Sequence, residues 1–178
     1  MSENLNVLYD ADTVNVVIKE IADTFNRTKN GNLCFVFVLK GGVFFGMKLQ
    51  EYIGADIPYG FIGLSSYKDG KKSQGHVDVT YDLDFPEGFL HGKDVWIIDD
   101  VFEVGNTLLT ARMIVDCWEP ASVHTAVLVK KDFPRLEGNG TVDIFGFTAD
   151  KDKFLVGCGM GMGEQYRNLP CVCEYLGE

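Results

Sequence analysis

The sequence has little positive charge. Its 16 Lys and Arg residues stand against 26 Asp and Glu residues, which gives a net charge of −10. A chain with this charge repels phosphate backbones and anionic lipid, so we expect neither nucleic acid nor a membrane among its partners. Any anion that the protein binds must be held by a local cluster of groups.

The sequence also lacks the patterns of zinc modules, membrane spans and signal peptides. None of the five cysteines belongs to a C-x-x-C pair, and no histidine stands near them at metal-ligand spacing. No apolar run approaches the ~18 residues of a membrane span, and the N-terminal segment lacks a basic region followed by an apolar one. We therefore predict a cytoplasmic protein with free thiols, in which Cys171 and Cys173 share one face of a strand.

Helical and strand-like segments alternate along the 178 residues, of which 46% are apolar. This pattern predicts an α/β fold: a single domain over residues 1–178 with a mainly parallel central sheet flanked by helices. Periodicity predicts helices at residues 10–27, 43–52 and 107–118. Apolar runs predict strands at residues 33–39, 61–67, 95–98, 122–130, 144–147 and 154–156, and residues 68–92 read as a long functional loop or hairpin.

The first candidate site follows the strand at residues 33–39. There, Lys40 precedes Gly41 and Gly42 at the start of a predicted helix. Backbone N–H groups at a glycine turn and a helix N-terminus, next to a lysine, suit a phosphate group. An ordinary tight turn with a surface lysine explains these residues equally well.

The second candidate site follows the strand at residues 95–98. Asp99 and Asp100 repel one another there, which favours a cation or sugar hydroxyls beside them. Residues 103–107 then form a turn into a helix, a second cradle of backbone amides. Carboxylates that can bind hydroxyl groups, next to backbone amides that can bind phosphate, describe a site for ribose 5-phosphate. The receiver domains of two-component signalling also carry acidic pairs at strand ends, but they need a different order of Asp and Lys along the chain.

The third candidate site pairs Lys130, at the end of a strand, with Phe154. A lysine can donate to a carbonyl oxygen of a planar heterocycle, and an aromatic ring can stack on its face. Considered singly, Lys130 reads as a solvated lysine and Phe154 as a core residue.

Taken in order, these segments resemble the hypoxanthine-guanine phosphoribosyltransferase family of purine salvage. The matching segments are LYDADTVNVVIKEIA, LKGG, SSYKDGKKSQG, WIIDDVFEVGNT, AVLVKK, DKFLVG and GEQYRNLP. The resemblance implies a type I phosphoribosyltransferase fold with a small hood built from the two chain termini. It also implies transfer of phosphoribosyl from phosphoribosyl pyrophosphate to a 6-oxopurine with Mg²⁺, by a homodimer or homotetramer.

The resemblance further implies a role for each matching residue. Pyrophosphate would be bound by Lys40, Gly41, Gly42 and Arg167, with a cis peptide between Leu39 and Lys40. The ribose hydroxyls and the magnesium shell would be addressed by Asp99 and Asp100. The 5-phosphate would be held by Glu103, Val104, Gly105, Asn106 and Thr107, with Glu103 also the catalytic proton acceptor. The purine would contact Lys130, Phe154 and Leu155, and a flexible loop carrying Ser66 and Tyr67 would close over the site.

Four positions depart from the family pattern. Glu103 replaces an Asp, Val104 a Thr and Asn106 a Lys or similar polar residue, so the 5-phosphate turn has fewer polar groups. Gly161 stands where the family places an Asp that holds a second magnesium, and water or Glu164 would have to supply the missing oxygen. These departures leave two alternatives beside an active enzyme: a nucleotide-binding sensor or regulator, and an RNA-binding regulator, which the charge of −10 disfavours.

Overall fold

The structure is a computed structural model that describes residues 4–28, 31–66, 77–133 and 141–177. Its helices are α1 (Ala11–Thr28), α2 (Gly42–Tyr52) and α3 (Asn106–Asp116). Its strands are β1 (Leu5–Tyr9), β2 (Leu33–Leu39), β3 (Tyr59–Ser66), β4 (Val77–Tyr81), β5 (Asp94–Phe102), β6 (Ser122–Lys131), β7 (Ile144–Ala149), β8 (Leu155–Val156) and β9 (Val172–Tyr175).

Six strands form the central sheet in the order β4-β3-β2-β5-β6-β7. All neighbours pair in parallel except β3 and β4, which form an antiparallel hairpin. A second, smaller antiparallel sheet joins β1, β9 and β8, and it forms the predicted hood from the two ends of the chain. The mixed α/β fold with a mainly parallel sheet is therefore confirmed.

Strand β2 shows why the central strands are continuously apolar. Phe35 and Phe37 lie in one buried cluster with α1 and α2, whereas Val36 and Val38 lie in a second cluster with α3. Because successive side chains of a strand point to opposite faces, a strand covered by helices on both sides must be apolar at every position.

The described structure differs from the predicted elements at strand ends and in short strands. Strand β5 continues past Ile98 to Phe102 because Asp99 and the residues after it keep pairing with β6. The sequence analysis missed β1. It gave no bounds for β4, which lies in the predicted loop or hairpin, or for β9, which contains Cys173 and directly follows Cys171. The predicted strand at 61–67 begins two residues earlier, at Tyr59. The predicted loop at 68–92 contains β4, while residues 67–76 lie outside the described part of the chain.

The cysteines agree with the prediction of free thiols. All five cysteines are free, and the sulfur atoms of Cys171 and Cys173 are 3.4 Å apart, which confirms that they share one face. Burial raises the pKa of the Cys158 thiol to about 12, so this group stays protonated at neutral pH. In the described ranges, every helix is too short or too polar to span a membrane.

Candidate active site

The carboxyl ends of β2 and β5 meet at one edge of the sheet, because these strands are parallel neighbours with Phe37 beside Ile98. A cavity of about 320 Å³ opens there. Its wall includes most of the residues singled out in the sequence: Lys40, Gly41, Asp99, Asp100, Glu103, Val104, Gly105, Asn106, Thr107 and Arg167. The structure thus brings the first two candidate sites together, as the topology of parallel sheets predicts.

The turn after β2 packs directly against the end of β5. The Leu39–Lys40 peptide is cis, as the resemblance implies. A Cβ atom on Gly41 would lie 1.8 Å from the Asp100 Oδ2 atom, and one on Gly42 would lie 2.4 Å from the Ile98 carbonyl oxygen. Both positions therefore require glycine, because a side chain at either would displace the acidic strand end.

Asp99, which is buried, and Asp100, which is half-buried, form an acidic pair. The Asp100 N–H donates to Asp99 Oδ1 at 2.9 Å, and the Val101 N–H donates to Asp100 Oδ1 at 2.7 Å. Burial, and next the charge of Asp100, raise the pKa of Asp99 well above its usual value. Burial also raises the pKa of Asp100, against the lowering effects of its hydrogen bonds and of the Arg167 charge. A cation beside the pair would offset the cost of removing these carboxylates from water and the repulsion between them.

The acidic pair fits one Mg²⁺ ion of the kind that shares its shell with substrate. The described residues contain no group of three or more His, Cys, Asp or Glu side chains that could form an all-protein metal cage. Mg²⁺ is commonly held by one or two carboxylates together with substrate oxygens and water. The donor set of Asp99 and Asp100 matches that arrangement.

The turn of residues 103–107 leads into α3. Gly105 adopts a φ of 89°, a left-handed conformation that favours glycine, and no side chain caps the helix. Asn106, Thr107 and Leu108 at the helix start line the cavity. The free N–H groups of this helix end, and its dipole, therefore favour an anion at the cavity.

Two adjacent lysines at the end of β6 have different surroundings. The Lys131 Nζ atom lies 2.5 Å from Glu103 Oε1, and the Lys131 side chain is 7% exposed. The Lys130 Nζ atom instead lies 5.0 Å from the centre of the Phe145 ring. Because neighbouring side chains of a strand point to opposite faces, only one of the two lysines can face Glu103. The structure therefore places Lys131 beside Glu103, and the alternation along the strand is the signal that could have shown this. Lys130 pairs in register with Phe102, which lines the cavity, and its contact with the purine stays a prediction.

The remaining predicted purine contacts lie in the hood. Leu155 is buried in β8, whereas Phe154 is 43% exposed and its ring lies 6.3 Å from that of Tyr175. Neither residue lines the cavity described above. Ser66 is the last residue of β3, and Tyr67 lies outside the described residues.

The turn between β8 and β9, residues 157–171, closes the cavity from the hood side, where Arg167 forms part of the cavity wall. Gly159 touches the turn after β2, since a Cβ atom on Gly159 would lie 2.1 Å from the Gly41 carbonyl oxygen. The Arg167 Nη1 and Nη2 groups donate to the carbonyl oxygens of Gly159, at 2.8 Å, and Gly163, at 3.0 Å.

Glu164, on the same turn, pairs with the pyrophosphate lysine predicted from the sequence. The Lys40 Nζ group donates to its two carboxylate oxygens at 2.8 and 2.9 Å. This contact was missed in the sequence because the two residues are far apart in the chain. The pair is exposed, so we expect an incoming anion to replace Glu164 readily.

Comparison with known proteins gives matches along most of the chain. The phosphoribosyl transferase domain family matches residues 6–161. The hypoxanthine-guanine phosphoribosyltransferase of Streptococcus thermophilus is 34% identical over 170 residues, covering 93% of this chain and 90% of that protein. The hypoxanthine phosphoribosyltransferase of Escherichia coli is 32% identical over 150 residues, covering 84% and 82%. A crystal structure of a hypoxanthine phosphoribosyltransferase from Staphylococcus aureus matches with a TM-score of 0.85 at 29% identity, covering 96% of this chain and 90% of that chain.

Proposed function

The chain belongs to the phosphoribosyl transferase domain family, and on that premise we propose that it is a purine phosphoribosyltransferase. It transfers the 5-phosphoribosyl group from phosphoribosyl pyrophosphate to hypoxanthine, guanine or xanthine, and it releases the nucleoside 5-monophosphate and pyrophosphate. One observation carries the proposal: the turn after β2, the acidic pair and the start of α3 surround a single cavity. These three groups suit pyrophosphate, ribose hydroxyls and a 5-phosphate respectively.

The donor is held mainly by backbone amides and a few charges. The turn of residues 103–107, which leads into α3, binds the 5-phosphate, while Asp99 and Asp100 engage the ribose hydroxyls. Lys40, the amides of Gly41 and Gly42, and Arg167 bind the pyrophosphate. When bound beside the acidic pair, Mg²⁺ neutralises charge on the departing pyrophosphate. The protein mainly fixes the position of the anomeric carbon relative to the incoming purine.

The purine is recognised by Lys131 rather than Lys130. Lys131 lies against Glu103 at 2.5 Å, so the pair presents a hydrogen-bond donor and a proton acceptor side by side. The ammonium group donates to the 6-oxygen of the purine, and the carboxylate accepts the proton that the purine loses when its other ring nitrogen bonds to the ribose. Phe154 stacks on the base, and Leu155 offers backbone groups to its edge. The resemblance further implies that Ser66 and Tyr67, of which Tyr67 lies outside the described residues, keep water from the reaction.

The remaining properties follow the same assignment. We place the enzyme in the cytoplasm, as one domain over residues 1–178 that assembles into a homodimer or homotetramer, with no nucleic acid or membrane partner. The alternative of a nucleotide-binding sensor or regulator is not favoured, because the relatives that match over most of their length bear enzyme names.

A substrate panel tests the proposal. The protein is incubated with phosphoribosyl pyrophosphate, Mg²⁺ and one of hypoxanthine, guanine, xanthine or adenine, and nucleotide and pyrophosphate are quantified. We expect turnover with 6-oxopurines and not with adenine, whose 6-amino group cannot accept a hydrogen bond from Lys131. Asp100→Asn serves as the impaired control, and Lys19→Ala, at an exposed lysine of α1, as the control outside the site. Donor binding without turnover of any base would instead support the sensor.

A further inference from the structure

The turn between β8 and β9 does not fit a second magnesium ion. Mg²⁺ prefers oxygen ligands, and Gly161, at the position where the family resemblance implies an aspartate, offers no side chain. Glu164 is the nearest acid in the sequence, but its carboxylate lies against Lys40. The atoms nearest to a Cβ at position 161 belong to Arg167 and Gln165.

The space beside Gly161 is filled by the Arg167 side chain and the Gln165 carbonyl group. A Cβ atom on Gly161 would lie 2.7 Å from the Arg167 Cγ atom, 2.9 Å from the Gln165 carbonyl oxygen and 3.0 Å from the Arg167 Nε atom. A carboxylate at position 161 and the present course of Arg167 are therefore mutually exclusive. The glycine is the residue that lets the arginine cross this turn.

Arg167 keeps its charge and one free donor in this position. Its Nη1 and Nη2 groups donate to the neutral carbonyl oxygens of Gly159 and Gly163, which hold the guanidinium without cancelling its charge. The Nε–H group is buried and has no hydrogen-bond partner among the described residues. Leaving a buried donor unpaired costs free energy.

The guanidinium also lies on the pyrophosphate side of the cavity. Arg167 and Gly41 both line it, and Gly159, which accepts the Nη1 hydrogen bond, touches the Gly41 carbonyl. We propose that the chain uses one divalent cation, at Asp99 and Asp100, and that the guanidinium of Arg167 replaces the second cation on pyrophosphate. This inference rests on the proposed function and goes beyond it, because it assigns the metal stoichiometry of the site.

Counting bound Mn²⁺ by electron paramagnetic resonance tests the inference without measuring turnover. Mn²⁺ is titrated into the protein saturated with phosphoribosyl pyrophosphate, with the donor alone as the blank. We expect one Mn²⁺ per chain. Two Mn²⁺ per chain would overturn the inference alone, whereas a protein that binds neither donor nor Mn²⁺ would overturn the proposed function and the inference with it.

Two variants test the role of the arginine. Gly161→Asp should still bind one Mn²⁺, because the new side chain meets Arg167 and the Gln165 carbonyl oxygen. Arg167→Ala should bind one Mn²⁺ and lose about 10- to 100-fold in donor affinity, as expected for a lost charged hydrogen bond. Lys19→Ala, which changes an exposed lysine of α1, is the matched control and should resemble the unaltered protein.

Each variant is first compared with the unaltered protein by circular dichroism and thermal unfolding. The number of Mn²⁺ ions bound by the unaltered protein decides the stoichiometry even if a variant fails to fold. Two Mn²⁺ on Gly161→Asp, or an unchanged donor affinity in a folded Arg167→Ala, would overturn the replacement of a cation by Arg167.

Discussion

Replacing Lys131 by Met tests which of two adjacent lysines reads the purine. The substitution removes the ammonium group that lies 2.5 Å from Glu103 and keeps a side chain of comparable length in a site that is 7% exposed. Lys130→Met is the matched control, because it makes the same chemical change one residue away, where the ammonium lies over the Phe145 ring.

The expected magnitude follows from one lost hydrogen bond to a charged donor. Such a bond contributes about 1.5–3 kcal/mol, and each 1.36 kcal/mol of transition-state stabilisation is a factor of ten in rate. We therefore expect kcat/KM for hypoxanthine to fall about 10- to 150-fold in Lys131→Met. The KM for phosphoribosyl pyrophosphate should change less than about twofold, because Lys131 does not line the cavity assigned to the donor. Glu103 remains 39% exposed and can be solvated, so the fold should survive the loss of its partner.

Steady-state kinetics with each substrate varied in turn provide the assay. Lys130→Met should stay within about twofold of the unaltered enzyme for both substrates, because a cation–π contact at an exposed site contributes only about 0.5–1 kcal/mol, and to stability. The reasoning is refuted if Lys130→Met loses more purine kcat/KM than Lys131→Met, or if Lys131→Met weakens donor and purine equally.

Three further predictions concern the acidic pair and the turns around it. Gly41→Ala should lower the free energy of unfolding by about 1–3 kcal/mol in chemical denaturation, because its Cβ atom would meet Asp100. Gly31→Ala is the control and should leave the free energy of unfolding unchanged, because its Cβ atom meets nothing within 4 Å. Equal effects of the two substitutions would contradict the packing argument. The raised pKa of Asp99 means that the folded state holds a proton longer than the unfolded state, so this group's contribution to stability declines as pH rises above the ordinary value of 3.8. In Asp99→Asn the free energy of unfolding should therefore fall less steeply with rising pH, and it should be higher at pH 7 than in the unaltered protein, while activity is reduced. An unchanged dependence of the free energy of unfolding on pH would show that an ionised Asp99 does not destabilise the fold. Glu164→Gln should tighten the binding of inorganic pyrophosphate by less than about tenfold, as measured by calorimetry. The reason is that the anion no longer competes with a carboxylate for Lys40. Weaker binding would mean that Glu164 assists the anion instead.

The sequence predicts most of the central sheet because the relevant signal is local. Strand β2 was predicted with its observed bounds, Leu33–Leu39, from seven consecutive apolar residues between glycines. The start of α1 follows from Asp10, whose carboxylate accepts the Thr13 N–H at 2.8 Å. By contrast, β1 and β9 pair with each other from opposite ends of the chain, with Leu5 beside Tyr175. Short strands whose only partner is so distant carry no local pattern strong enough to predict them.

Within the candidate site, the same division holds between neighbours in sequence and neighbours in space. The acidic pair and the turn before α3 are contiguous, so their shared role could be read directly from residues 99–107. The partner of Glu103 is 28 positions away, and both Lys130 and Lys131 satisfy the motif. The direction in which each lysine points depends on the pleat of β6 within the sheet.

The amino-acid sequence by itself therefore determined the α/β class and the strand ends at which acids, glycines and lysines gather, because apolar periodicity and turn chemistry act within about ten residues. Only the tertiary structure decided that Lys131 faces Glu103, that Glu164 holds Lys40, and that Arg167 fills the space beside Gly161. Those contacts join segments far apart in the chain, and they exist only once the register of the sheet and the packing of the hood against it are set.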